Sequence, residues 1–115
     1  MKIRLKRVYE PPAKADGIRL LVERLWPRGL TKEAAAIDQW MKEVSPSPAL
    51  RQWYSQDPEK WPEFKRRYLA ELSANKEALD TLRAHCANGA TFVYAAKDEE
   101  RNSAAVLKSV IEKLL

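Results

Sequence analysis

Two apolar runs constrain this chain more than any other feature, Ile18–Trp26 (IRLLVERLW) and Thr91–Ala96 (TFVYAA). The first is largely apolar at both alternating sets of positions and has no helical stripe, which predicts a strand covered on both faces. The second is uncharged and too short for a helix before the next start signal, so it also predicts a buried strand. Segments with helical periodicity lie between them, and strands interleaved with helices indicate an α/β fold. A chain of 115 residues has room for one domain over residues 1–115 and for three or four strands. The expected architecture is a small three-layer α/β domain with at least one parallel strand pair and helices on both faces of the sheet.

Local signals place the remaining elements. In Lys2–Tyr9, Ile3 and Leu5 alternate with Lys2, Arg4 and Lys6, the pattern of a strand with one wet face near a sheet edge. Glu10-Pro11-Pro12 stops it, and Asp16-Gly17 reads as a turn. Pro27-Arg28-Gly29 ends the second strand, and Thr31 caps a short helix from Lys32. Ile37, Trp40, Met41 and Val44 have helical spacing. Trp40–Val44 before Ser-Pro-Ser-Pro fits a short strand equally well, and periodicity leaves both open. Ser47-Pro48 and Asp57-Pro58 are helix starts. Pro62 falls beyond the first turn if Asp57 is the cap, which favours a later start. Asn75 interrupts the stripe of Trp61, Phe64, Tyr68 and Leu72, and Leu79, Leu82 and Cys86 continue it until Asn88-Gly89. Asp98 is placed to cap a final helix striped by Leu107, Val110, Ile111 and Leu114.

Composition excludes several functions. A single cysteine, Cys86, forms no intramolecular disulfide, and no Cys and His set fits a zinc site. No metal and no cofactor are expected, and the default location is cytoplasmic. The start MKIRLKRVYE lacks the apolar run of a signal peptide, and no stretch approaches a membrane span. Charge is uneven: residues 1–32 hold nine basic and three acidic side chains, whereas the rest hold twelve and thirteen. Any anionic partner is therefore expected at the N-terminal third, and a basic strand edge that only blocks aggregation explains the charge equally well.

Parallel sheets bind ligands at the carboxyl ends of their strands. Both apolar strands end in polar clusters, Glu23–Gly29 and Lys97–Asn102, which converge on one cleft if the strands are parallel neighbours. Arg24 and Arg28 flank a proline-stiffened loop and offer planar forks for carboxylate or phosphate. Arg24 is equally available for an ion pair with Glu23 or Asp98 across the sheet. Gly29 admits close approach to the backbone, and Trp26 supplies either a stacking wall or core. Lys97 and Asn102 add polar contacts. Glu23 and Asp98 are the candidate acid or base, because no better-placed titrating group is visible. Asp98, Glu99 and Glu100 are also explained by a helix start alone. His85 and Cys86 have no catalytic partner at useful spacing.

Several segments resemble the YeaO-like branch of the family called domain of unknown function 488. They are Gly17–Glu33, with its Leu-Trp-Pro-Arg-Gly, Ser45-Pro-Ser followed by Leu50-Arg-Gln-Trp53, Asp57–Trp61, Phe64–Tyr68 and Tyr94–Asn102. The resemblance implies a small cytosolic α/β protein and supplies no established reaction. It favours a strand around Trp40. The longer branch has a cysteine near the end of the last strand and a Cys-His-Arg run soon after. The match places Tyr94 and Asn102-Ser103-Ala104 there, so the resemblance implies that cysteine chemistry by that route is lost. Glu23 stands where the branch has Asp, and Pro62 and Ser103 are smaller departures.

The leading expectation is binding of a small anionic ligand at the strand ends, with or without catalysis. The alternative is a nucleic-acid or regulatory-partner module using the basic N-terminal strand through Lys2, Arg4 and Lys6. A third is a scaffold without chemistry of its own. Oligomeric state is not legible.

Overall fold

The computed structural model describes residues 3–114, so the predicted contribution of Lys2 to the first strand lies outside the described residues. Four strands form one parallel sheet: β1 (Ile3–Arg7), β2 (Arg19–Leu21), β3 (Gln39–Trp40) and β4 (Ala90–Tyr94), in the order β1-β4-β2-β3. The helices are α1 (Lys32–Ala35), α2 (Pro48–Tyr54), α3 (Trp61–Ser73), α4 (Lys76–His85) and α5 (Ser103–Leu114). The fold is α/β, as the interleaved pattern predicts.

The uncharged run becomes β4, buried along its whole length between β1 and β2. Its alternate side chains feed two different layers. Phe92 and Tyr94 join Leu20, Val22, Tyr68, Leu82, Leu107 and Ile111 in the main core beneath α2 to α5. Val93 faces the other way and packs with Leu21, Val8 and Ala35, flanked by Trp26, Leu30, Ile37 and Trp40. Helices therefore cover both faces unequally, four on one side and the four-residue α1 on the other.

The second strand is shorter than its apolar run. β2 stops at Leu21, although the Val22 N–H still donates to Val93 at 3.3 Å. β1 is the edge strand its wet face predicts. Thr31 caps α1 by accepting from the Ala34 N–H at 3.1 Å, and Ser47 caps α2 with Pro48 at its first position. The open segment Ile37–Val44 resolves into β3 and a 3-10 turn at Lys42–Val44. Asp57 caps only a 3-10 turn, and α3 begins at Trp61. Pro62 then falls in the first turn, where its missing N–H costs nothing. The expected cap of the last helix is corrected. Asp98 accepts from Glu100 and Arg101 in a preceding turn, while Asn102 Oδ1 takes the Ala105 N–H at 2.8 Å and starts α5.

The connection from β1 to β2 lacks the helix usual in a parallel crossover. Residues 8–18 contain only a 3-10 turn at Lys14–Asp16, and the buried Asp16 replaces the missing packing. Its carboxylate accepts from Arg19 Nη1 at 2.7 Å, from Lys6 Nζ at 3.2 Å and from the Ala13 N–H at 3.0 Å. Its backbone carbonyl accepts from the Thr91 hydroxyl at 2.7 Å. Arg19, only 3% exposed, also donates to the carbonyls of Ala35 and Ala36. Sequence patterning reads Asp16 as a turn residue, and the turn is there, with Gly17 at φ 63°. The ion network is an addition that patterning does not show.

Burial alone pushes the Asp16 carboxyl up, but the Ala13 N–H, Lys6 and Arg19 together hold it below its ordinary 3.8. Its stabilising contribution is thus complete above that ordinary value and fades as pH falls through the lower folded value. Asp16→Asn leaves two cations without their partner and should cost about 3–5 kcal/mol. Chemical denaturation should show that loss near neutral pH and a narrowing gap in strong acid. An unchanged midpoint at neutral pH would show that the network is dispensable.

Candidate functional site

β2 and β4 run side by side in the same direction, with Leu20 opposite Phe92 and Leu21 opposite Val93. Their carboxyl ends open on one cleft of about 320 Å³. Glu23 and Arg24 enter from β2, Ala95 and Ala96 from β4, and Arg101 to Ser103 from the start of α5. Arg51 and Tyr54 of α2 and Trp61 and Phe64 of α3 form the opposite wall, with Ser55 and Gln56 between the two helices.

The predicted residues divide. Glu23, Arg24 and Asn102 line the cleft, whereas Lys97 and Asp98 lie in the adjoining turn and are not among its lining residues. Trp26, Arg28 and Gly29 do not line it either. Pro27 is buried and carries the chain over the second face of the sheet. There Trp26 meets Trp40 edge-on at 5.4 Å and donates its indole N–H to the Leu30 carbonyl at 2.7 Å. Arg28 is exposed, with its carbonyl held by the Tyr9 hydroxyl, and the exposed Gly29 turns at φ 79°. The continuous Arg-Leu-Trp-Pro-Arg-Gly motif is thus divided between two faces.

Each cleft residue has a definite state. Arg24 does not pair with Glu23 or Asp98. Its guanidinium donates to the carbonyls of Ser45 at 3.2 Å and Pro46 at 3.3 Å, fastening the segment before α2. Arg101 is oriented by Asp98, with Nε at 2.9 Å from Oδ2. The Asp98 carboxyl is held below its usual range by the N–H groups of Arg101 and Glu100 and by that guanidinium. Arg51 is half-buried, and among the described residues its side chain makes no hydrogen bond or ion pair, although its charge reaches Glu23. Asn102 is spent as a cap, since its amide donates to the Asp98 carbonyl while its oxygen takes the Ala105 N–H.

Glu23 is the anomalous group. Burial pushes its carboxyl above the ordinary 4.5, against the opposing pull of Arg51 and the Ala95 backbone. Tyr54 is likewise raised by burial and by Asp98, with Arg101 opposing. Ser55 and Gln56 hold left-handed backbone at φ 46° and 61°. Consecutive non-glycine residues in that region are strained, and such strain gathers at ligand sites. Arg51 is not singled out by the sequence, Tyr54 and Phe64 read as helix-face residues, and Trp61 reads as a helix-face residue or as a stacking partner of the basic run Lys65-Arg66-Arg67. Among the described residues no three His, Cys, Asp or Glu side chains gather to hold a metal ion. Cys86 is fully buried, and burial pushes its thiol up to about 11.

Comparison with known proteins gives a uniform result. A family described as "Inactive DUF488-N3 subclade" matches residues 2–115. The Escherichia coli protein "Uncharacterized protein YeaO" is 40% identical over 116 residues, covering 99% of this chain and 100% of that protein. "Uncharacterized protein Rv3073c" of Mycobacterium tuberculosis is 36% identical over 110 residues, covering 96% and 93%. The Mycobacterium bovis protein "Uncharacterized protein Mb3100c" has the same identity and coverage. No solved structure matches the chain.

A carboxyl raised by folding destabilises the fold wherever it is charged, and that cost is relieved as pH falls through the folded value toward the ordinary one. Glu23→Gln should therefore be more stable than the parent at neutral pH, by about 0.5–2 kcal/mol. Denaturation midpoints at a series of pH values should show the advantage shrinking on acidification. A variant less stable than the parent at pH 7 would show instead that the carboxylate holds the loop together.

Proposed function

The chain belongs to the family described as the inactive DUF488-N3 subclade, and from that premise we propose that it binds a small anionic ligand at the carboxyl ends of β2 and β4. The supporting observation is the convergence of Arg24, Arg51 and Arg101 on one cleft at the sheet edge where ligands of parallel folds collect. Arg51 is the freest of the three and is the primary contact in this reading. Arg101, held by Asp98, is a second prepositioned fork, and Arg24 contributes while keeping the Ser45–Pro46 segment in place.

The cleft lining contains neither cysteine nor histidine. Tyr94 and Asn102-Ser103-Ala104, the positions the family resemblance matches to the thiol and imidazole of longer relatives, end β4 and begin α5 beside it. This reading is accordingly one of binding without cysteine chemistry. If a proton is moved, Glu23 is the group placed to move it, and Asp98 acts as a positioning residue for Arg101. A cytoplasmic location fits such a ligand, and among the described residues no helix is long and apolar enough to cross a membrane.

The nucleic-acid alternative draws less support. Lys6 is committed to Asp16, and Arg7 donates to the carbonyls of Ala95 and Ala96, leaving Arg4 as the exposed cation of β1.

Titration calorimetry with citrate and inorganic phosphate tests the anion reading. Arg51→Ala and Arg101→Ala should each weaken binding about 10- to 100-fold, the range of a charge-assisted hydrogen bond, with melting temperature little changed. Arg24→Ala should lose both affinity and stability. Binding should strengthen as pH falls and the carboxylate of Glu23 is neutralised, and Glu23→Gln should flatten that dependence. Absence of saturable binding, or arginine variants that bind as the parent does, would defeat the proposal.

A further inference from the structure

One wall of the cleft carries more than an anion requires. Tyr54, Phe64 and Trp61 form a continuous run of rings: Tyr54 and Phe64 lie 4.4 Å apart between centroids, and Phe64 and Trp61 5.4 Å apart with planes at 22°. Tyr54 and Phe64 are buried and Trp61 is half-buried, so all three line the cleft and the indole is the most exposed of them. The turn that carries this wall is pinned. Ser55 and Gln56 hold their left-handed backbone between Tyr54 and Trp61, and Lys60 Nζ donates to the Trp53 carbonyl at 2.8 Å. Arg51 and Arg101 line the same cleft. The volume, about 320 Å³, suits one ring system with an attached charged group.

We infer that the cleft takes a planar aromatic ring bearing an anionic group, with the ring extending the Trp61–Phe64 stack and the anion lying among Arg51 and Arg101. The inference rests on the anion reading above and adds the ring to it. An offset or edge-on partner for Trp61 gains affinity beyond area burial, which an aliphatic or inorganic anion cannot collect. The sequence leaves Trp26 open between a stacking wall and core, and this inference gives the stacking to Trp61.

Phenyl phosphate and inorganic phosphate separate the two claims in one titration series. Phenyl phosphate should bind about five- to tenfold more tightly, and the gap should close in Trp61→Leu while persisting in Trp61→Phe. The Trp61 indole N–H resonance should shift on adding phenyl phosphate and not on adding inorganic phosphate, a readout that needs no variant to fold. Equal affinity for the two phosphates in the parent overturns this inference and leaves anion binding standing. Failure of both to bind overturns both claims, and an affinity gap retained in a folded Trp61→Leu variant places the ring elsewhere and also overturns it.

Discussion

The carboxylate of Asp16 is the constraint on which the rest of this structure depends. It collects Lys6 from β1 and Arg19 from β2, while its own backbone carbonyl takes the hydroxyl of Thr91 from β4. Three strands thereby meet at one residue of a loop. Buried ion pairs add little net stability over an apolar replacement, and their best-attested role is to fix register. That role fits here. A slip of β1 or β2 by one residue would turn Lys6 or Arg19 toward the apolar core and strand a charge there. Because Arg19 also holds the carbonyls of Ala35 and Ala36, the same network seats α1 on that face.

With register fixed, the site follows. The β2–β4 pairing brings the ends of both strands together, and Glu23 leaves the sheet into a cleft walled by α2 and α3. A carboxylate half-desolvated beside Arg51 and Arg24 is an arrangement that folding alone does not favour. Two successive left-handed residues at Ser55 and Gln56 add a second local cost. Costs of this kind concentrate where a protein keeps geometry for a ligand rather than for stability.

Much of this fold was legible in the sequence because local chemistry dictates it. The TFVYAA run has no charge to place outside a core, Thr31 and Ser47 offer their oxygens to the N–H groups that helices leave unpaired, and Pro62 cannot sit deeper than a first turn. The site was legible only in part. Glu23 and Arg24 follow a strand end directly, so topology places them. Trp26, Arg28 and Gly29 lie two to five residues further on, on either side of buried Pro27, and the direction of that turn depends on tertiary packing against Trp40. Asp98 and Asn102 are both good cap residues, and only the packed position of α5 decides between them. Tyr54 and Trp61 lie on helix stripes whose spacing says which side is apolar but not which end overhangs the sheet, and Arg51 carries no such signal.

The central place of β4 has a consequence for how the chain reaches this state. β1 and β2 share no backbone ladder, since each is hydrogen-bonded to β4 and β1 must meet partners far along the chain, Ile3 opposite Ala90. Closing such a long loop is entropically slow, and little rewards it until the final third is present. A nascent chain lacking residues beyond about Gly89 would hold two unmatched strand edges and an uncovered apolar layer. Assembly is therefore expected to await the emergence of β4, which enters as a keystone rather than as an extension of an existing sheet.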